Sequence, residues 1–416
     1  MPASPRLSDV AKFYWDRTPH EERAQLVQAV AFAAAQGRPI RVGTACSGTD
    51  SPVAVLKALA ATVPGLEVQH TFSCEKDAAK RQWILDNFPE LPRLFGDIAD
   101  LGTGQAWDYV AGAVSPVPQV DVFVAGFVCK SISQQNLKRE QFADCIREAS
   151  GLTGVTFKGV LDYVKASKPS VVVLENVRGI TTRSKGREPV ITHIREKFDE
   201  SGYAFDYKVL DTRAYLLPHR RTRCWMWAFR GRENQAAALC ARERLNGLAT
   251  KRFWQLKSLF RKVGASPDKH TQTLTARQRQ VVRAAQAQAP HAKRLVVDVG
   301  QSEARLVFCS GGASPCVLPN SKLYCTSTEK VLGVAQMLAV QGIFRDDFHA
   351  LPAWVMSRRT LARDMAGNAF STTPCMAVVL AALIHGPLPR TGGMPSIADQ
   401  RRPDGSPVAK RARGEA

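Results

Sequence analysis

In "AGFVCKSISQQN", Ala125 to Asn136, an apolar run breaks into polar residues, and Cys129 stands at the break. A thiol there is either packed and inert, the commoner fate of a lone cysteine, or lifted into a site as a nucleophile. A second apolar run, "SVVVL", leads into "ENVRG", so Glu175 and Asn176 stand at another strand end. That carboxylate is harder to dismiss as packing. "LLPHRRTRCWMWAF" places His219, Arg220, Arg221 and Arg223 before a third apolar run. Arg221 and Arg223 alternate, so in an extended segment both project to one face. The plain alternative is a solvated basic turn. A thiol, a carboxylate and two guanidinium groups at one edge would suit covalent catalysis, with the charges governing the thiolate and the proton.

Three further turns could hold a nucleoside. "ACSGTDSP" contains Gly48 between Ser47 and Thr49, in a turn where glycine permits positive φ and close approach to a ligand. "SCEKD" presents Glu75, an acidic residue of the kind that accepts ribose hydroxyls. "FGDIADL" places Asp97 and Ile98 in a short turn, where Asp97 would meet an adenine amino group or simply cap the turn. Neither a GxGxxG nor a GxxxxGK[ST] pattern stands in this stretch, which argues against a pyrophosphate ligand.

Strands and helices must position these groups. Buried strands are expected at Ile40–Ala45, Leu66–Cys74, Val120–Ala125 and Ser170–Leu174. Helices are expected in "SPVAVLKALAA", "DAAKRQWILDNF", "TGVTFKGVLDYVKASKP" and "EPVITHIREKFDESGY", with Pro52 in one first turn and Asp77 as an N-cap. This alternation predicts an α/β fold with a mostly parallel sheet and helices on both faces. Ligands then bind off the carboxyl ends of the strands.

The chain carries a net charge of +20, and residues 231–322 alone hold 16 Lys+Arg against 5 Asp+Glu. Such a segment suggests a phosphate-rich partner. The division expected is a helical lead-in over 1–39, a catalytic and cofactor domain over 40–230, a smaller basic domain over 231–322, a C-terminal part completing the catalytic domain over 323–387, and a disordered basic tail over 388–416. No apolar run of roughly 18 residues predicts a membrane span, and the first residues lack a secretory apolar stretch. Ten scattered cysteines without CxxC pairs point to reduced, intracellular thiols and to no metal.

The order of these motifs resembles that of the DNA (cytosine-5) methyltransferases, over roughly Ile40 to Ile384. "ACSGTDSP", "CEKD" and "GDI" resemble the family's S-adenosylmethionine motifs. "GFVCKSIS" is similar to its catalytic loop, "LENVRG" to its Glu-Asn-Val motif and "PHRRTR" to its Gln-x-Arg-x-Arg motif. "TSTEKVLGVAQMLAVQGI", with Gln341-Gly342, looks like the motif before the last helix, and "GNAFS" resembles the final Gly-Asn motif. Val128 stands where the family has proline, Lys130 and His219 where it has glutamine, and Asp50-Ser51 where it has Gly-Gly.

The resemblance implies a Rossmann-like methyltransferase fold with a smaller target-recognition domain. It implies S-adenosyl-L-methionine held by Ser47, Gly48, Thr49, Glu75, Asp97, Ile98, Asn368 and Ala369. It assigns catalysis to Cys129, Glu175, Asn176, Arg221 and Arg223, with Cys129 adding to C6 of a flipped-out cytosine in DNA. DNA would be met through residues 231–322 and the catalytic loop. "SPVAKRARGEA" resembles a nuclear import signal, so a nuclear location is expected. RNA, such as transfer RNA, as the substrate and a catalytically inactive nucleic-acid-binding relative are the alternatives. A nicotinamide-dependent dehydrogenase is a more distant one, for want of the glycine fingerprint.

Overall fold

The computed structural model describes residues 1–2, 4–35, 37–132, 144–183, 188–263, 274–348, 355 and 357–388. The tail from 389, with its basic motif, lies outside them, as does 133–143 of the catalytic loop.

The sequence-predicted strands form the middle of the main sheet. They are β1 (Ile40–Ala45), β2 (Val68–Cys74), β6 (Val122–Ala125) and β7 (Val171–Val177), joined by β3 (Leu94–Phe95), β4 (Gln105–Asp108), β5 (Ala113–Pro116), β8 (Tyr203–Asp211) and β10 (Thr222–Arg230). The order is β5-β4-β3-β2-β1-β6-β7-β10-β8. The pairs among β3, β2, β1, β6 and β7 are parallel, and the two edges are antiparallel. Every residue of β6 and the first six of β7 are buried, as strands covered on both faces must be. β2 and β6 start two residues later than the apolar runs suggest. β7 runs on through Val177, because β10 pairs with it as far as Arg223↔Val177. Glu175 and Asn176 therefore lie within the strand, not after it.

Helices cover both faces. α3 (Ser51–Ala60) starts with Pro52 in its first turn. α4 (Ala78–Asn87) is capped by Asp77, whose carboxylate accepts from Ala79 N and Lys80 N at 2.9 and 3.1 Å. α5 (Ile98–Leu101), α6 (Gly151–Ser167) and α7 (Val190–Glu200) follow. α1 (Leu7–Asp16) and α2 (His20–Ala35) are more than a lead-in. They bury Leu7, Val10, Tyr14, Leu26 and Val30 in the same core as α3 and the last helix. That last helix, α13 (Thr372–His385), follows α11 (Val334–Val340) and α12 (Arg359–Asn368). The stretch Thr360–His385 is apolar and long enough to cross a membrane by composition, yet 94% of its most apolar window is buried within the protein.

Packing divides the chain differently from composition. α8 (Gln235–Leu248) falls in the stretch expected as a separate basic domain, but Ala238, Ala241, Leu245 and Leu248 sit in the large core, and Trp227 Nε1 donates to Ala238 O at 2.9 Å. Beyond α9 (Leu256–Val263), the small lobe has its own core, where α10 (Ala276–Gln288) supplies Val281, Val282 and Ala285 against Leu295, Val297 and Val299. Its sheet runs β12 (Phe308–Cys309), β11 (Val296–Asp298), β14 (Leu323–Cys325), β15 (Lys330–Val331). β14 and β15 lie beyond residue 322, so the lobe reaches further than the basic segment. β9 (His219–Arg220) and β13 (Ser314–Pro315) pair in parallel and join this lobe to the arginine-bearing turn.

Candidate active site

At the ends of β1 and β2 the backbone forms a cradle. Cys46, Gly48 and Asp50 all have positive φ, at 50, 57 and 53°. A Cβ placed on Gly48 would meet nothing within 4 Å, so the loop opens on free space there. Glu75 fastens the two turns together, accepting from Gly48 N at 2.8 Å and Asp77 N at 3.0 Å. Burial and the charges of Glu75 and Asp97 push the Cys46 thiol up to about 12, and Lys80 opposes them. Those charged groups therefore surround the floor of the cradle.

The remaining expected cofactor residues are arranged less directly. Ser47 Oγ bonds Thr44 Oγ1 at 2.8 Å, and Thr49 Oγ1 bonds Ser51 Oγ at 2.9 Å, so both hydroxyls already have partners. Asp97 caps α5 through Ala99 N at 3.1 Å and pairs with Lys76 Nζ at 2.9 Å. Ile98 is buried in the core. Asn368 ends α12 and donates to Asp364 Oδ1 at 2.9 Å, and Asp364 pairs with Lys80 of α4 at 2.7 Å. The final motif is thereby tied to the cradle's far wall. Neither Lys80 nor Asp364 carried a sequence signal, for they come from distant helices. An open glycine turn, a shared carboxylate and surrounding acids suit an adenosine bearing a positive charge.

The second half of the edge lies at β6 and β7. Cys129 follows β6, and Asn176 of β7 donates to Phe127 O at 2.9 Å, which fixes the start of the loop. Arg223 lies opposite Val177, two residues along from Glu175 on the same face of the strand. That diagonal is within reach of a long side chain, and Arg223 Nε meets Glu175 Oε1 at 3.1 Å. Arg221 stands between β9 and β10 rather than within an extended strand, yet its Nη2 still comes within 3.9 Å of Glu175. It also donates to Gly367 O and Ala369 O, each at 3.1 Å, so one buried guanidinium ties the carboxylate to the final motif.

Burial, then Glu175, raise the pKa of the Cys129 thiol, while Arg223 and Arg221 oppose them. Lys130, next to the thiol, is exposed. The resting residue is a protonated thiol beside a carboxylate and two cations.

Sequence reasoning missed three further contributors. Cys316 Sγ lies 3.9 Å from both Arg221 Nη1 and Arg223 Nη2. The neighbouring Val317 N donates at 3.0 Å to Nε2 of His219, which stands in the motif's glutamine position. Phe370 packs so close to Gly126 that a Cβ there would lie 2.6 Å from its ring. A cavity of about 550 Å³ lies between the small lobe, the segment 255–261 and Gln336 of α11, and Lys257, Arg261 and Arg294 line it.

The fold and the order of these groups agree with what the chain is similar to. It is 34% identical over 197 residues to the DNA (cytosine-5-)-methyltransferase DMT5 of Cryptococcus neoformans var. grubii, covering 46% of this chain and 8% of that protein. It is 32% identical over 161 residues to the type II methyltransferase M.HaeII of Haemophilus aegyptius, covering 39% of this chain and 43% of that one. The chain thus spans less than half the length of these relatives. The crystal structure of a Spodoptera frugiperda DNMT2 mutant shares the fold, with a TM-score of 0.52 at 13% identity over 82% of this chain and 99% of that one. The family model for C-5 cytosine-specific DNA methylase matches residues 57–314, from α3 through β7 and both arginines to β13. With more than half its length matched and its motifs in order, the chain belongs to the C-5 cytosine-specific DNA methylase family.

Proposed function

We propose that the protein methylates C5 of cytosine in DNA through a covalent bond between Cys129 and C6 of a base turned out of the duplex. The observation that carries this is the convergence of Cys129, Glu175, Arg221 and Arg223 at the ends of adjacent strands. Cytosine C5 is a poor nucleophile, and addition of sulfur at C6 makes it enamine-like. The thiol gives its proton to water as sulfur adds to C6, and the charges of Arg223 and Arg221 favour the thiolate. Glu175 takes up a proton from solvent, shares it with ring N3 as negative charge gathers there, and recovers it when Cys129 leaves. Arg223 keeps the Glu175 carboxylate aimed, and Asn176 fixes the loop that carries Cys129. S-adenosylmethionine, when bound, supplies the electrophilic methyl group; Gly48, Glu75 and Asp97 would hold its adenosine. A base, water or a side chain, then takes the C5 proton, and Cys129 leaves C6. The reacting carbon is inaccessible within a stack, so the base must be flipped.

DNA is favoured because the matched family and the relatives are described as acting on DNA, and because the small lobe is basic. The test is methyl transfer from labelled S-adenosylmethionine to duplex DNA and, in parallel, to transfer RNA. Label at cytosine C5 of DNA is expected. Label in RNA alone would overturn the substrate assignment, and label in neither would overturn the activity.

A further inference from the structure

The departure at Val128 leaves a backbone N–H that the family's proline would lack. That N–H donates to Thr156 Oγ1 at 3.2 Å. On the other side of Cys129, Ser131 N donates to Thr153 Oγ1, also at 3.2 Å. Thr153 and Thr156 lie three residues apart on α6, so they share one face of the helix. Thr153 is fully buried. Thr156 is itself fixed, for its hydroxyl donates to Leu152 O at 2.8 Å. The two hydroxyls thus grip the chain one residue before and two residues after the thiol, and Ile132 N closes the turn on Cys129 O at 3.1 Å.

We propose that Thr153 and Thr156 are positioning residues that clamp the Cys129 loop, and that the Thr156–Val128 bond replaces the rigidity proline gives elsewhere in the family. This rests on Cys129 being the nucleophile. A proline holds φ by its ring; a valine at that place leaves the loop free unless its N–H is tied. Removing the acceptor leaves a partly buried donor unpaired and loosens the turn.

The test uses the full chain with Thr156→Val, which keeps shape but loses the acceptor, and Thr156→Ser, which keeps the hydroxyl. Two readouts are taken at matched folded fraction, checked by circular dichroism. One is the single-turnover rate of methyl transfer. The other is alkylation of Cys129 by iodoacetamide, read on its own peptide and independent of any nucleic acid. Thr156→Val should slow transfer about tenfold and speed alkylation of the half-buried thiol by a similar factor, with the KM for S-adenosylmethionine unchanged. Thr156→Ser should restore both.

The decisive arm is Val128→Pro. In that background there is no N–H to hold, so adding Thr156→Val should change neither readout further. Should Val128→Pro fold poorly, Thr153→Val and Thr153→Ser repeat the comparison on the Ser131 side. Wild-type behaviour of Thr156→Val, or an undiminished effect of it in the Val128→Pro background, would overturn the clamp. Absence of methyl transfer by the wild-type protein would count against the proposed function, while the alkylation arm would still judge the clamp.

Discussion

At the ends of β1 and β2, one carboxylate, Glu75, gathers the N–H groups of Gly48 and Asp77, and the neighbouring hydroxyls bond one another. At the ends of β6 and β7, the groups around Glu175 come from the catalytic loop, the arginine turn, the small lobe and the final motif, and they meet through charge. The cradle is made of backbone and of contacts local to two turns. The chemical half is made of side chains brought from far apart. A backbone cradle should tolerate side-chain changes and suffer from strain. A side-chain cluster should fail at single substitutions and fail in more than one property.

The largest effect is expected at Glu175. Glu175→Gln should lower kcat by about 10³-fold, as loss of a positioned acid does. It should also move the alkylation profile of Cys129 to lower pH, because the Glu175 charge raises that thiol's pKa. A profile left in place would mean that carboxylate and thiol do not share a site.

Arg221→Lys comes next. Its side chain is only 3% exposed, and a single ammonium cannot reproduce a fork that serves the carbonyls of Val317, Gly367 and Ala369 and a carboxylate. A loss of roughly 3 kcal/mol in denaturant unfolding is expected, together with slower transfer. Unchanged stability would show that the final motif is held by other contacts.

In the cradle, Gly48→Ala places a side chain on positive φ at a cost of roughly 1–2 kcal/mol. The KM for S-adenosylmethionine should rise about tenfold with kcat held. Thr49→Ala should shift it less than about threefold, since its hydroxyl is already taken up by Ser51. Equal effects at the two positions would erase the contrast between the halves.

The smallest effect is one of slope. Burial pushes the Asp50 carboxyl from its ordinary 3.8 up to about 7. The folded protein then binds more protons there than the unfolded chain, so this contribution is present at low pH and is lost as pH rises through about 7. Adjacent His70 is lowered by burial from 6.5 to about 3, so its contribution is lost as pH falls across that range. The two oppose each other. Asp50→Asn should therefore make stability rise more steeply with pH between about 4 and 7 than in the wild type. Parallel denaturation curves across that range would refute it.

What was legible in the sequence follows the same division. The strands announced themselves as apolar runs, and strand ends are where such a sheet presents its ligand groups, so Cys129, Glu175, Gly48 and Glu75 could be picked out. The two arginines were legible as alternation, although Arg221 reaches Glu175 from a turn. Cys316, Val317, Lys80 and Phe370 were not legible, because nothing local to them says which distant element they meet. The strands of the small sheet are two or three residues long, too short to show a period. α8 was assigned by its basic composition, while its apolar stripe decided where it packs. Of the N-terminal helices only α1 has its apolar residues on one face, and the core it packs into comes from distant elements.

Cys129 as the nucleophile of a covalent methyl transfer is tested by trapping its bond to the base. The most direct measurement offers the protein S-adenosylmethionine and duplex DNA containing 5-fluorocytosine, whose fluorine blocks the final elimination. Cys129→Ser and Cys316→Ser are run alongside. A denaturation-resistant adduct should form with the wild type and with Cys316→Ser, and be lost in Cys129→Ser. An adduct that survives Cys129→Ser, or methyl transfer to ordinary DNA with no adduct trapped, would contradict the account.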